Sequence, residues 1–484
     1  MDSGKVRIKA SYIIAFDGTR HRYVKDGELV YQGQDIIYVG KKYDGDVERT
    51  IDAAGKIISP GFISTHAHLA ASPLDRSWVE DCGTPQFFFS GLYEVLTVRR
   101  EAMDRDMYRA CTEYSLAELL RGGTTTVVEL DPLGADVIPP ISALGNRIYF
   151  GQYYRSGRWY VSDGKQVHYE WLQDDGTRAM DEALEFIEAY DGACDGLVRG
   201  CLSPLQVDTC SEALLLRSQE MAQKLKVPLT IHASQSVLEF HEMLRRHGKT
   251  PIAWLRDIGF LQKNVILGHA IMIGGSSWTN YPPGDIDIMA ASGCTVAHAP
   301  WVFARRGFVM ESFNKYEQAG INMSLGTDTC PQNMIQAMRW AAVLSKMADR
   351  NTQLATAADV FNAATLGGAR ALGREDLGRL CAGAKADIVI FSNDTMNMVP
   401  LRDPVKNIVY NAEMEDVETV IVNGKTVVEN GKVTGRDEKE LNRKVREAGD
   451  QMWSRIPKHD WAHRSVDELV PPSFEYWEGV SSNE

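Results

Sequence analysis

What most constrains this chain is a repeat. Between residues 58 and 385, eight apolar, β-branched runs alternate with stretches that read as helices. The runs are "IISPGFISTHAHL", "TTTVVEL", "RIYFGQYY", "LVRGCLSPL", "PLTIHAS", "VILGHAIMI", "GCTVAHAP" and "INMSLGTDT", and the helical texture is clearest over 102–121, 178–190 and 211–225. Strands that alternate with helices predict a parallel sheet, and eight such units over roughly 300 residues predict an α/β fold closed as a (β/α)8 TIM barrel. An open doubly wound sheet is the competing arrangement. No G-x-G-x-x-G follows the first strand, which argues against a dinucleotide fold.

The flanks read differently. "VRIKASYIIAFDG", "GELVYQGQDIIYVG" and "TIDAAGKIISPG" near the start, and "ADIVIFSND" and "DVETVIVNGKTVVENGKV" near the end, are short strands with turns between them. Asn423-Gly424 and Asn430-Gly431 are hairpin signals. The predicted division is a small β-sandwich, antiparallel in texture, built from 1–57 and 386–435, a barrel over 58–385, and a helical C-terminal arm over 436–484. The arm ends in "PPSFEYWEG", an aromatic stretch expected to pack on a neighbouring copy, so a homo-oligomer, dimer or larger, is expected.

In a barrel the chemistry gathers at the C-terminal ends of the strands. Those ends carry His66 and His68 on the first strand, His232 on the fifth, His269 on the sixth and Asp328 on the eighth. Two histidines one residue apart on a strand share a face. Any one of these residues has an ordinary structural explanation; five at equivalent strand ends do not. Three neutral imidazoles and a carboxylate leave a position for water, the open type of metal site. The cation would lower the pKa of that water towards neutrality, Asp328 would carry its proton to the leaving group, and His269 would orient the attacking oxygen or polarise the group attacked. The expected cofactor is one divalent transition metal, Zn2+ by default, with Fe2+, Co2+ or Mn2+ also suited to imidazole.

With these residues in place the chain resembles the amidohydrolase superfamily, in the aminohydrolase and chlorohydrolase branch of s-triazine hydrolases and methylthioadenosine deaminases. The likeness runs from "ISPGFISTHAHL" through "RGGTTTVVEL", "IHAS", "LGHA", "SLGTDT" and "NAATLGGARALG" to "GAKADIVIFS". It implies a mononuclear site with His66, His68, His232 and Asp328 on the metal and His269 against the water. The fourth strand, "LVRGCLSPLQV", offers no lysine for a second metal. Deaminases of this branch carry a glutamate three residues after the fifth-strand histidine, where this chain has Gln235. An amide cannot ferry a proton, so purine-type deamination is put in doubt. Relatives follow the seventh-strand histidine with Pro, Ser and Asn; this chain keeps His298 and Pro300 but supplies Trp301, Phe303 and Arg305. Trp301 and Phe303 are candidate walls for a flat substrate, with core packing as the alternative. Trp78, Phe87, Phe88, Phe89 and Tyr93, after the first strand, are a candidate lid or a hydrophobic cluster.

Composition excludes more than it identifies. A formal charge of -13 argues against a nucleic-acid partner, and no apolar run is long enough for a membrane span. The start lacks a secretion signal and the 8 cysteines show no C-x-x-C spacing, so a cytoplasmic location is expected. Most of the thiols are expected to be buried; Cys330, beside Asp328, stands apart from them. The expected function is hydrolysis of a C–N bond, in an amide, urea, carbamate or amino substituent, of a small aromatic or N-heterocyclic molecule through a metal-activated hydroxide. The alternative is a deaminase or dechlorinase of a triazine-like or purine-like ring. A catalytically silent metal-binding scaffold is disfavoured because every ligand is retained.

Overall fold

The computed structural model describes residues 4–78, 82–87 and 89–477. Eight central strands, Phe62–Ala67 (β1), Thr124–Glu129 (β2), Arg147–Phe150 (β3), Val198–Gly200 (β4), Leu229–Ala233 (β5), Val265–His269 (β6), Thr295–His298 (β7) and Asn322–Leu325 (β8), run parallel in chain order. They form two four-stranded sheets, β1 to β4 and β5 to β8. Bridges between Leu202 and Leu229 and between Ala67 and Asp328 join the two sheets. The result is a TIM-barrel-type α/β fold. Every residue of β1 and β2 is buried, as a strand between a packed interior and a helical coat requires.

Helices occupy the connections where the apolar period is 3.6. Arg105–Arg121 starts after Asp104, whose carboxylate accepts from the backbone N–H groups of Asp106 and Met107; Glu212–Leu225 starts after Ser211, whose hydroxyl accepts from Leu214. Thr177–Tyr190 follows Gly176. The third and fourth sequence runs are shorter than they read. Tyr153–Tyr154 and Ser203–Pro204 pair separately with each other beyond the ends of β3 and β4. A hairpin of Gly157–Tyr160 and His168–Trp171 also follows β3, in a stretch whose sequence carried no strand expectation.

The two ends of the chain share one sheet. Strands Lys5–Phe16, His21–Gln32, Asp35–Gly40 and Arg49–Pro60 join Ile388–Ser392, Val417–Val422, Lys425–Glu429 and Lys432–Val433 in an eight-stranded array. The array is mixed, not purely antiparallel, because Lys5–Phe16 lies parallel to Arg49–Pro60. Asn423 and Gly424 have φ of 52° and 79° between Val417–Val422 and Lys425–Glu429. A tight turn of that hand needs positive φ at both positions, which Asn and Gly adopt most cheaply. One face of the sheet has its own core, with Ile8, Ile13, Leu29, Ile58 and Ile388 fully buried; the other, through Ile57, Phe391 and Val420, merges with the barrel core.

A buried ion pair fastens the sheet to the barrel. Arg147, at the start of β3, reaches both carboxylate oxygens of Asp387 at 3.2 Å and the side-chain oxygen of Asn423 at 3.0 Å. Asp387 also accepts from the backbone N–H of Asn423. Asp387→Ala leaves the guanidinium buried and unpaired, so a loss of about 3–5 kcal/mol is expected in denaturant unfolding.

The helix Glu438–His459 lies on the chain's own barrel. Its Ala448, Met452 and Ile456 pack with Leu74, Trp78, Val98 and Met107. The aromatics that stand free of the body are Phe474, Tyr476 and Trp477. Among the described residues no helix is long and apolar enough to cross a membrane, and Cys111, Cys201, Cys210, Cys294 and Cys330 are buried thiols.

Candidate metal centre and active site

β1, β5, β6 and the turn after β8 bring His66, His68, His232, His269 and Asp328 together. One potential ligand atom from each of His66, His232 and His269 falls within 4.8 Å of the others, and the same holds for His66, His68 and Asp328. His269 Nε2 is 3.5 Å and His66 Nε2 4.0 Å from Asp328 Oδ2. Two glycines make room. A Cβ at Gly268 would meet His66 Cε1 at 2.8 Å, and one at Gly326 would meet His66 Cβ at 2.7 Å. The glycines of "LGHA" and "LGTD" are therefore packing requirements of the first histidine. His269 and Asp328 have φ of 82° and 56°. Left-handed backbone at non-glycine residues costs about 1–3 kcal/mol each and persists only where the surroundings enforce it.

Hydrogen bonding fixes two tautomers. His68 Nδ1 lies 3.0 Å from the Leu130 carbonyl and His232 Nδ1 2.6 Å from the Leu205 carbonyl. A carbonyl only accepts, so each Nδ1 carries its proton and each Nε2 presents a lone pair. Those two Nε2 atoms face each other at 3.0 Å. Two lone pairs at that distance repel unless a cation sits between their donors. A proton does not fill the role: burial first, and neighbouring imidazoles and arginines next, hold His68 well below its ordinary pKa, and burial brings His232 down to about 4. His66 is fully buried with neither ring nitrogen partnered, and His269 Nδ1 is buried without a partner. The donor set fits a single divalent cation.

Carboxylates support the turn after His68. Both oxygens of Glu129 accept from the Leu69 N–H at 3.0 Å, and Asp131 accepts from Ala70 at 2.7 Å. Burial raises both carboxyls, and Glu129 is raised further by Asp131 beside it. Asp328 is pushed up to about 6 by burial, against the opposing pull of Arg306 and Arg305.

These residues border a cavity of about 70 Å³. His68, His232, His269, Asp328, Gln235 and Phe303 line it, and the Phe303 ring lies 4.5 Å from that of His269. Other residues singled out in the sequence do not line it. Trp301 packs on Trp340, and His298, the last residue of β7, has its ring beside Phe313. Trp78 is held under the C-terminal helix, and Phe87 clusters with Tyr93 and Trp159. Of the aromatic loop, Phe89 reaches the cavity; Phe88 lies outside the described residues. Cys330 is buried, with Arg305 donating to its carbonyl. The sequence reading missed Arg99, Arg100, Arg306 and Asp131, which also line the cavity. The "RR" pairs at 99–100 and 305–306, each downstream of a strand end, were the available signal.

Fold and site together define a barrel enzyme built around a histidine-rich metal centre. Residues 57–427 match the amidohydrolase family, and the chain belongs to it. It is 27% identical over 453 residues to a 5'-deoxyadenosine deaminase of Methanosarcina mazei, covering 93% of this chain and 98% of that one. It is 30% identical over 406 residues to a 5-methylthioadenosine/S-adenosylhomocysteine deaminase of Thermococcus kodakarensis, covering 83% and 89%. The crystal structure of atrazine chlorohydrolase from Arthrobacter aurescens TC1, complexed with zinc, matches with a TM-score of 0.77 at 27% identity over 92% of this chain and 100% of that one. The chain is an amidohydrolase-type hydrolase acting on carbon–nitrogen bonds other than peptide bonds.

Proposed function

We propose that this enzyme hydrolyses a C–N bond, in an amide, urea, carbamate or amino substituent, of a small aromatic or N-heterocyclic compound. The observation that carries this reading is the facing pair of lone pairs on His68 and His232 beside His66, His269 and Asp328. His66, His68, His232 and Asp328 would hold one divalent cation. Zinc is favoured by the donor set and by the zinc-bound chlorohydrolase. When bound, the cation supplies Lewis acidity that makes water nucleophilic near neutral pH. Asp328 takes the proton of the attacking water and delivers it to the departing nitrogen. His269, held beside it, orients the attacking oxygen. Phe303 forms a wall for a flat ring, and Gln235 offers hydrogen bonds to it.

The second reading is removal of an amino or chloro substituent from a purine-like or triazine-like ring, as the names of the relatives suggest. Gln235 weighs against the purine form, since a carboxamide cannot protonate a ring nitrogen. A substrate panel of amides, ureas, carbamates, aminoheterocycles and chloroheterocycles separates the two. Release of a larger amine or of a carboxylic acid supports the first reading, and loss of ammonia or chloride from a ring carbon, leaving a hydroxylated ring, the second. Gln235→Glu is expected to keep the metal content unchanged and to raise activity on aminoheterocycles by about tenfold or more. No turnover of any member by metal-loaded protein would leave the scaffold reading standing.

We also propose the division into a β-sandwich of 1–57 and 386–435, a barrel of 58–385 and an arm of 436–484, with the exposed aromatics of the tail as the contact of a homo-oligomer. The shared sheet with its separate core supports the first part, and Phe474, Tyr476 and Trp477 support the second. In light scattering the full chain is expected to run as a dimer or larger and a chain ending at Val470 as a monomer. Equal masses would remove the tail from that role.

A further inference from the structure

Three arginines line the cavity at the metal centre: Arg99, Arg100 and Arg306. Arg99 is accounted for, being buried and ion-paired with Asp75. The other two are not. Arg306 donates from Nη1 to the Val302 carbonyl at 2.8 Å, its Nε is buried without a partner, and no carboxylate among the described residues pairs with it. The Arg100 carbonyl accepts from the Tyr108 hydroxyl at 3.3 Å, and its guanidinium has neither a hydrogen bond nor an ion pair among the described residues. Both lie near enough to Asp328 for their charge to act on it.

Two guanidinium groups in one cavity with no ion pair among the described residues run against the composition. The chain has 65 acidic residues to 52 Lys and Arg, so carboxylates to pair them are in surplus. Burying the Arg306 Nε without a partner is costly, and the cost is recovered when an anion arrives; Arg100 is half-buried and adds its charge to the same wall. Each acidic group on the wall already has a partner for one of its oxygens or a place in the ligand set, although Asp75 Oδ2 is buried without a hydrogen bond. Asp75 is taken by Arg99, one oxygen of Asp131 accepts from Ala70, and Asp328 belongs to the ligand set. Among the neutral polar groups on the wall, the Gln235 amide is buried with its Nε2 unpartnered. Against that one spare acceptor, Asp75 Oδ2, the cavity holds the unpartnered donors of Arg306 and Gln235 and the charge of Arg100 and Arg306.

We propose that the substrate carries a carboxylate besides the C–N bond that is broken, and that Arg100 and Arg306 bind it. This rests on the hydrolase reading and narrows it: the substrate is an anionic ring compound, not a neutral one. A planar carboxylate matches the fork of a guanidinium, and the small cavity suits a carboxylate attached close to the ring. The same charge that attracts it would exclude cationic amines from the site.

The test is binding, so that it stands apart from turnover. Benzoate and its neutral isostere nitrobenzene, matched in ring and size and carrying no hydrolysable C–N bond, are titrated calorimetrically into the metal-loaded protein and into chelator-treated protein. Benzoate is expected to bind at least about tenfold more tightly than nitrobenzene in both preparations. Arg306→Gln and Arg100→Gln are each expected to reduce that preference to about twofold or less, and Arg306→Lys and Arg100→Lys to retain part of it; unchanged melting curves show that the variants are folded. Equal affinity for the two probes, a preference that survives both glutamine variants, or one that vanishes when the metal is removed would each overturn the proposal. Turnover of neutral members of the substrate panel without any such preference sinks this inference and leaves the hydrolase reading intact. A preference for benzoate in a protein that hydrolyses nothing does the reverse.

Discussion

Asp328→Asn is expected to lower kcat by about a thousandfold or more while leaving the fold in place. Asparagine has nearly the same shape, and the backbone of this turn is held independently of the side chain. The N–H of residue 328 donates to the His66 carbonyl at 2.9 Å, and its carbonyl accepts from His68 N–H at 2.8 Å. What disappears is a proton acceptor within reach of the attacking water. Proton transfer by a positioned side chain contributes about 10²- to 10⁴-fold, and the carboxylate also serves as a ligand. Measurement at saturating metal, with metal content determined on the same sample, separates the two losses. Activity within tenfold of the parent in a fully loaded variant would remove Asp328 from the proton-transfer role.

The parts of this molecule legible in the sequence are those fixed by local period and by short motifs. The eight apolar runs and the helices at Arg105–Arg121, Thr177–Tyr190 and Glu212–Leu225 are written in their alternation and in cap residues such as Asp104 and Ser211. The strand ends bearing His66, His68, His232, His269 and Asp328 could be read because a barrel places equivalent ends on one rim. What could not be read depends on partners far along the chain. Trp78 looks like a lid aromatic until the helix Glu438–His459 lies across it, and Trp301 looks like a pocket wall until Trp340 takes its face. The parallel pairing of Lys5–Phe16 with Arg49–Pro60 follows a crossover that no hairpin signal records. The arginines escaped notice for a different reason. A charged residue ordinarily reads as solvent-facing, and only the folded wall around Arg100 and Arg306 shows that they face inward.

Removing the metal is expected to destabilise the protein sharply, and refilling with zinc to restore it at one ion per chain. Several features of the ligand set are costly unless a cation is bound. His68 and His232 direct lone pairs at each other across 3.0 Å, and His66 is buried with no partner for either ring nitrogen. His269 and Asp328 hold left-handed backbone beside them. A ligand that binds only the native state adds about 4 kcal/mol when its free concentration is about a thousandfold above Kd. A melting temperature several degrees lower after chelation is the expected reading. Acid acts in the same direction. Burial holds His232 at about 4 against an ordinary 6.5, so between those values the unfolded chain binds more protons than the native one. Metal-free protein should therefore be at its full stability from this group above about pH 6.5 and lose it progressively as the pH falls towards 4. Identical melting curves for loaded and stripped protein, or full turnover in a metal-free preparation, would show that these imidazoles are packed for some purpose other than gripping an ion.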